Sequence, residues 1–361
     1  MNYLIFRDDG VGDLIVSTSM LNEIKKYDEK AKITLISSNR NNIYANILLK
    51  ENFLDHNINA DVYSGFINKI VKIFFQLRKR KFDHIFILKS SSFSFILSLL
   101  LNSNSVSGIV PLNSSSNGKD KYKPIKYLID FIFNYYEIVD CRNDYKNSSH
   151  IHMKEHYLSL LNKTFKLKNK KGLIQNYYIP YSPLKKINNS RENPISNILN
   201  DKKIILFHFD EKWNMSNYLD VKILNLIREI STMYNYVLII TYGLEKNKYD
   251  KFITDNLDFY FINSINRRIN LYQSKSDKNI FSIRDTNIED IIFLITNSDI
   301  VIEPHGALNH IASIFNKPVI DLIPRGKETF LLKWKPTSRK MVQVDLDNAD
   351  MILRAVKNIL T

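Results

Sequence analysis

The feature that most constrains the fold is a repeated alternation of short apolar runs with longer amphipathic segments. In the first half, the short runs have the composition of β-strands and lie at residues 3–7, 32–38, 84–89 and 106–111. Between them, residues 14–27 and 66–81 carry apolar side chains at helical spacing. Strands that alternate with helices predict a parallel sheet with helices on both faces.

The same alternation starts again after a break. Residues 178–203 contain three prolines and many polar side chains, and they predict a linker between domains. Further strands are predicted at 203–209, 236–242, 279–283, 299–304 and 318–324, with helices at 287–297, 307–315 and 349–360. The 361 residues are enough for two domains, so we expect two doubly wound α/β halves with a ligand cleft between them.

Composition indicates a soluble globular protein of a reducing compartment. Hydrophobic residues make up 44% and charged residues 24% of the chain, and Cys141 is the single cysteine. The first residues, MNYLIF, have no feature of a signal peptide. The apolar run at 93–101 is shorter than the roughly 20 residues of a membrane span, so it predicts a buried helix or strand. We therefore expect a cytoplasmic protein.

The charge balance favours anionic partners. Lys and Arg number 51 against 37 Asp and Glu, which gives +14. Nucleic acid, acidic lipid headgroups and phosphorylated small molecules are all compatible with this excess. The cations cluster at 76–81, 119–126 and 163–171, and ordinary solvated surface is the alternative explanation. No nucleic-acid-binding signature is present, so nucleic acid is not expected as a partner.

The segment RDDGVGDLIVSTSML, from Arg7 to Leu21, lies between the first predicted strand and helix. Gly10 and Gly12 allow a tight turn and close approach of a ligand. Asp13 is then expected at the start of the helix, either as a simple helix cap or as a catalytic carboxylate. The third glycine of a dinucleotide fingerprint is absent, so a nicotinamide site is not predicted.

Two segments of the second half have the residues of an anion site. In EPHGALNHIAS, a strand ends at Glu303, Gly306 allows a turn, and a helix begins near Ala307. Backbone N–H groups at that helix start suit phosphate oxygens. His305 and His310 flank the turn as further donors; a solvated His305 and a packed, half-buried His310 are the alternatives.

In FHFDEKWNMS, Lys212 is predicted to reach a diphosphate and Trp213 to pack against the cleft wall. The alternative is a surface lysine beside a core tryptophan. His152 and His156 have a metal-ligand spacing, but no third ligand accompanies them, and no metal site is predicted.

Together these segments resemble the heptosyltransferase family, the ADP-heptose:lipopolysaccharide transferases of glycosyltransferase family 9. The matching segments occur in the family's order: RDDGVGDLIVSTSML, FHFDEKW, residues 287–323, and LLKWKP at 331–336. The resemblance implies the GT-B fold, with two Rossmann-like domains facing a central cleft. It also implies the domain limits 1–178, 179–203 for the linker and 204–345, with a final helix at 346–361 packing back on the first domain.

The resemblance further implies an inverting, metal-independent transfer of a sugar, with heptose from ADP-heptose as the first expectation. The acceptor is expected to be a lipopolysaccharide core or another anionic surface glycan or glycolipid, met at the inner face of the membrane. Asp13 would be the general base. The donor would be bound by Lys212, Trp213, Glu303, His305, Gly306, Ala307 and His310. The acceptor would be bound by Arg7, Gly12, Lys89 and Ser90. No cofactor is expected, since the nucleotide sugar is a substrate.

This chain departs from the family pattern at the donor site. The family has an acidic, a hydroxyl and a glycine residue ahead of its histidine, whereas Glu303-Pro304-His305 stands here and Gly306 lies four residues before His310. The basic segment 266–278, predicted as a long loop, is also unusual. The donor therefore stays open, and so do two other functions: a nucleotide-sugar 2-epimerase of the same fold and a non-catalytic module that binds nucleotide sugar or glycan.

Overall fold

The structure, a computed structural model, describes residues 1–112, 126–140, 151–166, 202–233, 235–243, 247–264, 269–325, 331, 334–336 and 340–360. The chain divides into two compact units. The first comprises Met1–Pro180 and Leu332–Lys335, and the second comprises Tyr181–Leu331 and Pro336–Thr361. Of the predicted linker, only 202 and 203 are described, and Lys203 already begins a strand. The predicted basic clusters at 119–126 and 163–171 lie largely outside the described residues.

The first unit contains a six-stranded parallel sheet. Its strands are β1 (Asn2–Phe6), β2 (Lys32–Ser37), β3 (His56–Asn59), β4 (His84–Ile87), β5 (Val106–Leu112) and β6 (Tyr135–Asp140). The sequence predicts a parallel sheet and four of these strands, but not β3 or β6. The strand order is β3-β2-β1-β4-β5-β6, and every neighbouring pair is parallel. This is the order of a doubly wound dinucleotide-binding sheet.

Helices connect these strands and cover the sheet. They are α1 (Val11–Tyr27), α2 (Asn42–Lys50), α3 (Phe66–Leu77), α4 (Ser92–Leu100), α5 (Lys126–Ile132) and α6 (Met153–Phe165). Side chains of α3, α4 and α5 share one core cluster with Leu4 and Phe6 of β1. Tyr3 and Ile5, which point to the opposite face of the strand, are also fully buried. Both faces of the sheet are therefore covered.

The second unit contains an eight-stranded sheet. Its strands are β7 (Lys203–Phe209), β8 (Tyr236–Tyr242), β9 (Phe259–Ser264), β10 (Asn270–Ser274), β11 (Ile280–Arg284), β12 (Ile300–Pro304), β13 (Val319–Ile323) and β14 (Met341–Asp345). The order is β14-β13-β12-β7-β8-β11-β10-β9.

The sheet of the second unit is parallel except at one edge. There β10 is antiparallel to both β11 and β9. The sequence predicts a loop at 266–278, but β10 forms within it. β10 has the sequence NLYQS, is only partly buried and lies next to the edge strand β9, so it has little of the apolar signal that identifies a central strand.

The helices of the second unit are α7 (Asp220–Ser231), α8 (Asp250–Leu257), α9 (Ile288–Asn297), α10 (Ala307–Ile314) and α11 (Ala349–Leu360). The final helix is α11, and the expectation that it packs on the first domain stays a prediction. Ile352 and Val356 of α11 are buried in the core of the second unit, in the same cluster as Ile223 and Ile227 of α7. The strongly amphipathic helix has one apolar face, and that face is filled within its own unit.

The apolar run at 93–101, predicted to be a buried helix or strand, forms most of α4. Phe93 and Leu97 are buried, whereas Leu99 and Leu100 are exposed. In the described part of the chain, no helix has the length and apolar character needed to cross a bilayer.

Candidate functional site

In each unit, the predicted site residues lie at the carboxyl ends of the two strands where the strand order reverses. In the first unit these strands are β1 and β4, and in the second they are β7 and β12. At such a point the following helices go to opposite faces of the sheet, which opens a crevice for a ligand. Sequence positions far apart are thereby brought together in each unit.

In the first unit, Arg7 directly follows β1 and organises the surrounding carboxylates. Its side chain is buried: Nη1 donates to the backbone oxygen of Leu88 at 2.9 Å. Nε lies 3.2 Å from Asp9 Oδ1, and Nη2 lies 3.1 Å from Asp13 Oδ1. Trp334, a residue of the first unit, places its ring centroid 5.7 Å from the guanidinium carbon. Arg7 was predicted to bind the acceptor, but its burial gives it a different role, which is to hold Asp9 and Asp13.

Asp13 is the third residue of α1, and the N-cap is Gly10 rather than Asp13. Asp13 Oδ2 accepts from the Gly10 N–H at 3.3 Å, as in a capping box. The side chain keeps about a third of its surface, 33%, open to solvent. Asp13 therefore closes the capping box from within the helix and keeps carboxylate surface open to solvent, while its catalytic role stays a prediction.

The two glycines beside Asp13 do not adopt the turn that the sequence predicts. Gly10 has φ −75° and Gly12 lies within α1, so both have backbones that other residues adopt. Gly10 leaves space for the Asp13 side chain: a Cβ there would lie 3.1 Å from Asp13 Oδ2, a tight contact. The glycine thus allows the carboxylate to close over the start of the helix.

Asp9 is a member of this cluster that sequence reasoning missed. Burial raises its pKa to about 6, and the Asp13 carboxylate adds to the rise, although the Arg7 guanidinium opposes it. Lys89, at the end of β4, donates from Nζ to the backbone oxygen of Asp8 at 3.0 Å. The hydroxyl of Ser90 donates to the backbone oxygen of Ile109. Lys89 is thus beside the carboxylates, while Ser90 is tied to β5.

In the second unit, β7 ends in a tight turn that carries Lys212. Asp210 Oδ1 accepts from the Lys212 N–H at 3.0 Å, and Oδ2 accepts from Lys212 Nζ at 2.8 Å. Burial favours the neutral amine, but the Asp210 and Glu303 carboxylates outweigh it and raise the pKa of Lys212. The lysine is therefore a fixed cation at the end of β7.

Trp213 does not line a ligand site, contrary to the prediction. Its side chain is fully buried, and its ring stacks on Phe209 with centroids 4.7 Å apart. Its Nε1 donates to the backbone oxygen of His208 at 3.1 Å. A large aromatic ring following an apolar strand packs into the core, where it anchors the turn that presents Lys212.

Glu303 occupies part of the helix start that was predicted to bind phosphate. It is buried at the end of β12, and its Oε1 accepts from the backbone N–H of Asn309 in the first turn of α10. Burial raises the pKa of Glu303 well above its usual value, against the opposing effect of Lys212. The helix start is therefore capped on one N–H by the protein's own carboxyl group.

Gly306 brings Lys212 and the start of α10 together. A Cβ on Gly306 would lie 2.6 Å from Lys212 Nζ, so the absence of a side chain makes room for the ammonium group. Gly306 is the N-cap of α10, where the helix macrodipole is positive, and Ala307 is the first helical residue. The Lys212 ammonium group therefore lies beside the N-terminus of α10.

His305 and His310 are both buried rather than solvated or half-buried. His305 Nδ1 lies 2.9 Å from Asp321 Oδ2, and among the described residues its Nε2 has no hydrogen-bond partner. Asp321, in the middle of β13, also accepts from Asn309 Nδ2 at 2.7 Å and from Gln343 Nε2 at 2.9 Å. This buried acid was not predicted as a site residue. Asp321 fixes the His305 ring through Nδ1 and leaves Nε2 as the other polar atom of the ring.

The predicted histidine pair serves the structure of the first unit. His152 Nδ1 accepts from the Lys154 N–H at 3.1 Å and caps α6, and its Nε2 lies 2.9 Å from the Lys335 backbone oxygen. His156 Nδ1 lies 3.9 Å from Glu137 Oε2. Burial lowers the pKa of His152 to about 4. Both rings are therefore engaged by protein groups.

No protein-family model matches the chain, and no curated protein matches it in sequence. Solved structures match it over nearly its whole length. A family 9 glycosyl transferase from Veillonella parvula has a TM-score of 0.70 at 12% identity, over 99% of this chain and 97% of that chain. The E. coli heptosyltransferase WaaC with ADP has a TM-score of 0.67 at 11% identity, over 100% and 99%. The chain has the GT-B fold.

The predicted fold class is thus confirmed. A UDP-GlcNAc 2-epimerase from Methanocaldococcus jannaschii also matches this GT-B chain, with a TM-score of 0.57 at 16% identity, over 100% of this chain and 93% of that chain. Its TM-score is lower than those of the two glycosyltransferases. The likeness shows the fold, and the chemistry has to be argued from the two clusters of side chains.

Proposed function

We propose that this protein is a glycosyltransferase that moves a sugar from a nucleotide-sugar donor to a hydroxyl group of a surface-glycan acceptor. The observation that carries the proposal is the position of Lys212 Nζ against Gly306 at the start of α10. A fixed ammonium group next to the positive end of a helix is an arrangement that favours a diphosphate. The structural likeness to family 9 glycosyltransferases supports the same function.

In this proposal the second unit binds the donor diphosphate. Lys212 donates to a phosphate oxygen, and the backbone at Gly306 and Ala307 contributes N–H groups. His305 Nε2, held by Asp321, supplies one further hydrogen bond to the donor.

The first unit supplies the base. One Asp13 oxygen takes the proton of the acceptor hydroxyl as the acceptor oxygen forms its bond to the anomeric carbon of the donor sugar. The bond from that carbon to the diphosphate oxygen breaks, and the configuration inverts. The electron pair leaves with the nucleoside diphosphate, where Lys212 stabilises the developing charge. Arg7 holds Asp13 in position and is a positioning residue.

At a finer level, we propose an ADP-linked heptose as the donor and an anionic glycan or glycolipid, such as a lipopolysaccharide core, as the acceptor. The E. coli relative in the comparison is a heptosyltransferase whose structure contains ADP, which supports this choice. The excess of cations in the chain, +14, is favourable for an acceptor that carries phosphates. The nucleotide sugar is the substrate, and the mechanism requires no cofactor or metal.

Donor binding is tested by calorimetric titration with ADP, UDP and GDP. Lys212→Met should weaken binding of the preferred nucleotide by roughly 10-fold to 100-fold, because a charge-assisted hydrogen bond contributes about 1.5–3 kcal/mol. The matched control is Lys275→Met, since Lys275 also pairs with an aspartate, Asp258, at 2.9 Å. Binding of none of the three nucleotides, or an equal loss in both variants, would contradict the donor site.

The base is tested by measuring acceptor-dependent release of nucleoside diphosphate from the donor. Asp13→Asn should lower kcat by about 10² to 10⁴ and leave donor affinity unchanged, because it removes only the proton acceptor. Asp61→Asn is the control, since Asp61 also lies in an ion pair of the first unit, with Lys69 at 2.8 Å. Unchanged turnover in Asp13→Asn would refute the assignment of the base.

The epimerase likeness gives the second candidate function. A 2-epimerase converts its nucleotide sugar without an acceptor, so incubation of the donor alone separates the two functions. Conversion of the sugar in the absence of acceptor would favour the epimerase. Donor that stays unchanged until an acceptor hydroxyl is added would favour the transferase.

A further inference from the structure

Helix α3 carries an apolar stripe on its solvent side in addition to its buried face. Ile70, Ile73 and Leu77 are buried in the core of the first unit. Ile67, Val71 and Phe75 are 75%, 42% and 56% exposed, and their spacing of four residues places them on one side of the helix. An ordinary surface helix has polar residues there, so this stripe requires an explanation.

The neighbouring helix α4 extends this apolar surface. It contacts α3 and lies in the same layer over the sheet. Ile96, Leu99 and Leu100 of α4 are 40%, 52% and 51% exposed. We call the exposed side chains of these two helices the α3–α4 face. A group of six exposed apolar side chains on two adjacent helices indicates a surface that interacts with a partner.

The α3–α4 face is bordered by cations. Lys72 and the run Arg78–Lys81 are exposed at α3 and its C-terminal end. The Arg78 guanidinium carbon lies 4.8 Å from the centroid of the Phe75 ring, so a cation is stacked on the apolar stripe itself. The sequence has no Asp or Glu at residues 62–82 or 84–119. The nearest acids are Asp61, which pairs with Lys69 of α3, and Asp83. The face is therefore apolar, with an excess of cations at its border.

We propose that the α3–α4 face binds the surface of an anionic lipid bilayer. Apolar side chains on one side of a helix enter the headgroup region, and flanking Lys and Arg side chains pair with lipid phosphates. A second copy of this chain is a poor occupant, because it would bring the same excess of cations against the first. Charge complementarity thus selects an anionic surface, and this inference does not depend on the proposed transferase activity.

The test is co-sedimentation of the full-length protein with vesicles of phosphatidylcholine containing 30% phosphatidylglycerol, at roughly 0.1 M salt. The chain offers a matched control, because the tripeptide Val-Lys-Ile occurs both at 71–73 in α3 and at 221–223 in α7. Val221 is 60% exposed and Lys222 is also exposed. Lys72→Glu and Val71→Ser are therefore compared with Lys222→Glu and Val221→Ser.

We expect the wild-type protein to bind the anionic vesicles and not vesicles of pure phosphatidylcholine. Lys72→Glu changes the charge by two and should weaken binding about 30-fold, since each charge near such a surface contributes about 1 kcal/mol. Val71→Ser should weaken it about threefold, and neither α7 variant should change it. Circular dichroism and thermal unfolding of the same variants check that the fold is intact.

Three results would overturn the inference. One is a wild-type protein that does not bind anionic vesicles. The second is an equal loss of binding in the α3 and α7 variants, which would indicate a general charge effect. The third is a dimer, seen by analytical ultracentrifugation, that Val71→Ser dissociates, because the α3–α4 face would then be covered by a second copy.

Discussion

Asp321→Asn is the most informative change in the second unit, because it tests the buried network around His305. Asp321 is 0% exposed, and its two oxygens accept from three side chains: His305, Asn309 and Gln343. An asparagine replaces one oxygen with a donor group, so in either orientation at least one of these donors faces another donor. Losing one charge-assisted bond and leaving a buried donor unpaired predicts a loss of about 2–4 kcal/mol in the free energy of unfolding.

The assay is urea unfolding of the second unit followed by tryptophan fluorescence. The sequence has two tryptophans, and Trp213 lies in the core of the second unit while Trp334 belongs to the first. A Trp334→Phe background therefore makes the signal specific to the unit that contains Asp321. Comparing midpoints and slopes in this background avoids mixing two unfolding transitions.

The matched control is Asp299→Asn. Asp299 is exposed just before β12 and accepts one backbone hydrogen bond, from Ile204 at 2.8 Å. Its replacement should cost less than about 1 kcal/mol, as is usual at a surface. If Asp321→Asn costs no more than Asp299→Asn, the carboxylate does not hold the network, and the role of Asp321 in orienting His305 is refuted.

Three further predictions concern single side chains. Gly306→Ala should weaken nucleoside diphosphate binding about tenfold in calorimetry, because the new Cβ displaces Lys212 Nζ. The free energy of unfolding, from thermal unfolding, should change by less than about 1 kcal/mol, because only the end of the flexible Lys212 side chain has to move. Gly108→Ala should destabilise the first unit by about 1–3 kcal/mol in urea unfolding, since the new Cβ would meet the buried Phe133 ring; an unchanged midpoint would contradict this. Burial lowers the pKa of His208 to about 3, so the unfolded chain binds a proton at this imidazole more tightly than the folded protein does. The free energy of unfolding should therefore fall as the pH drops below about 6.5, by roughly 3 kcal/mol at pH 4.5. His208→Asn should flatten that part of the pH profile, and an unchanged slope would show that the ring is not held neutral.

The general architecture could be predicted because central strands and helices differ in apolar spacing. The runs at 3–7 and 299–304 became β1 and β12 with shifts of one residue at their ends. By contrast, β3 has the sequence HNIN and lies at a sheet edge, so it carries almost no apolar signal. β10, with the sequence NLYQS, is also only partly buried and also has a weak apolar signal, so it was expected to be a loop.

The candidate site was predictable only in part. Four site residues lie at or after the carboxyl ends of strands: Asp13 in the first unit, and Lys212, Glu303 and Gly306 in the second. Each doubly wound sheet brings the carboxyl ends of its strands to one edge. Asp321 was missed, although an acid within an apolar strand is itself a signal, because a buried carboxylate requires partners.

The sequence by itself determined the alternation of strands and helices, the positive charge and the chemical groups that follow β1, β7 and β12. Only the tertiary structure decided which of those groups face each other. Arg7 is two residues from Asp9 and six from Asp13, yet it pairs with both because its burial against the Leu88 carbonyl fixes the guanidinium between them. Trp213 was assigned the wrong surroundings, because an apolar pattern shows that a side chain is buried and does not show against what.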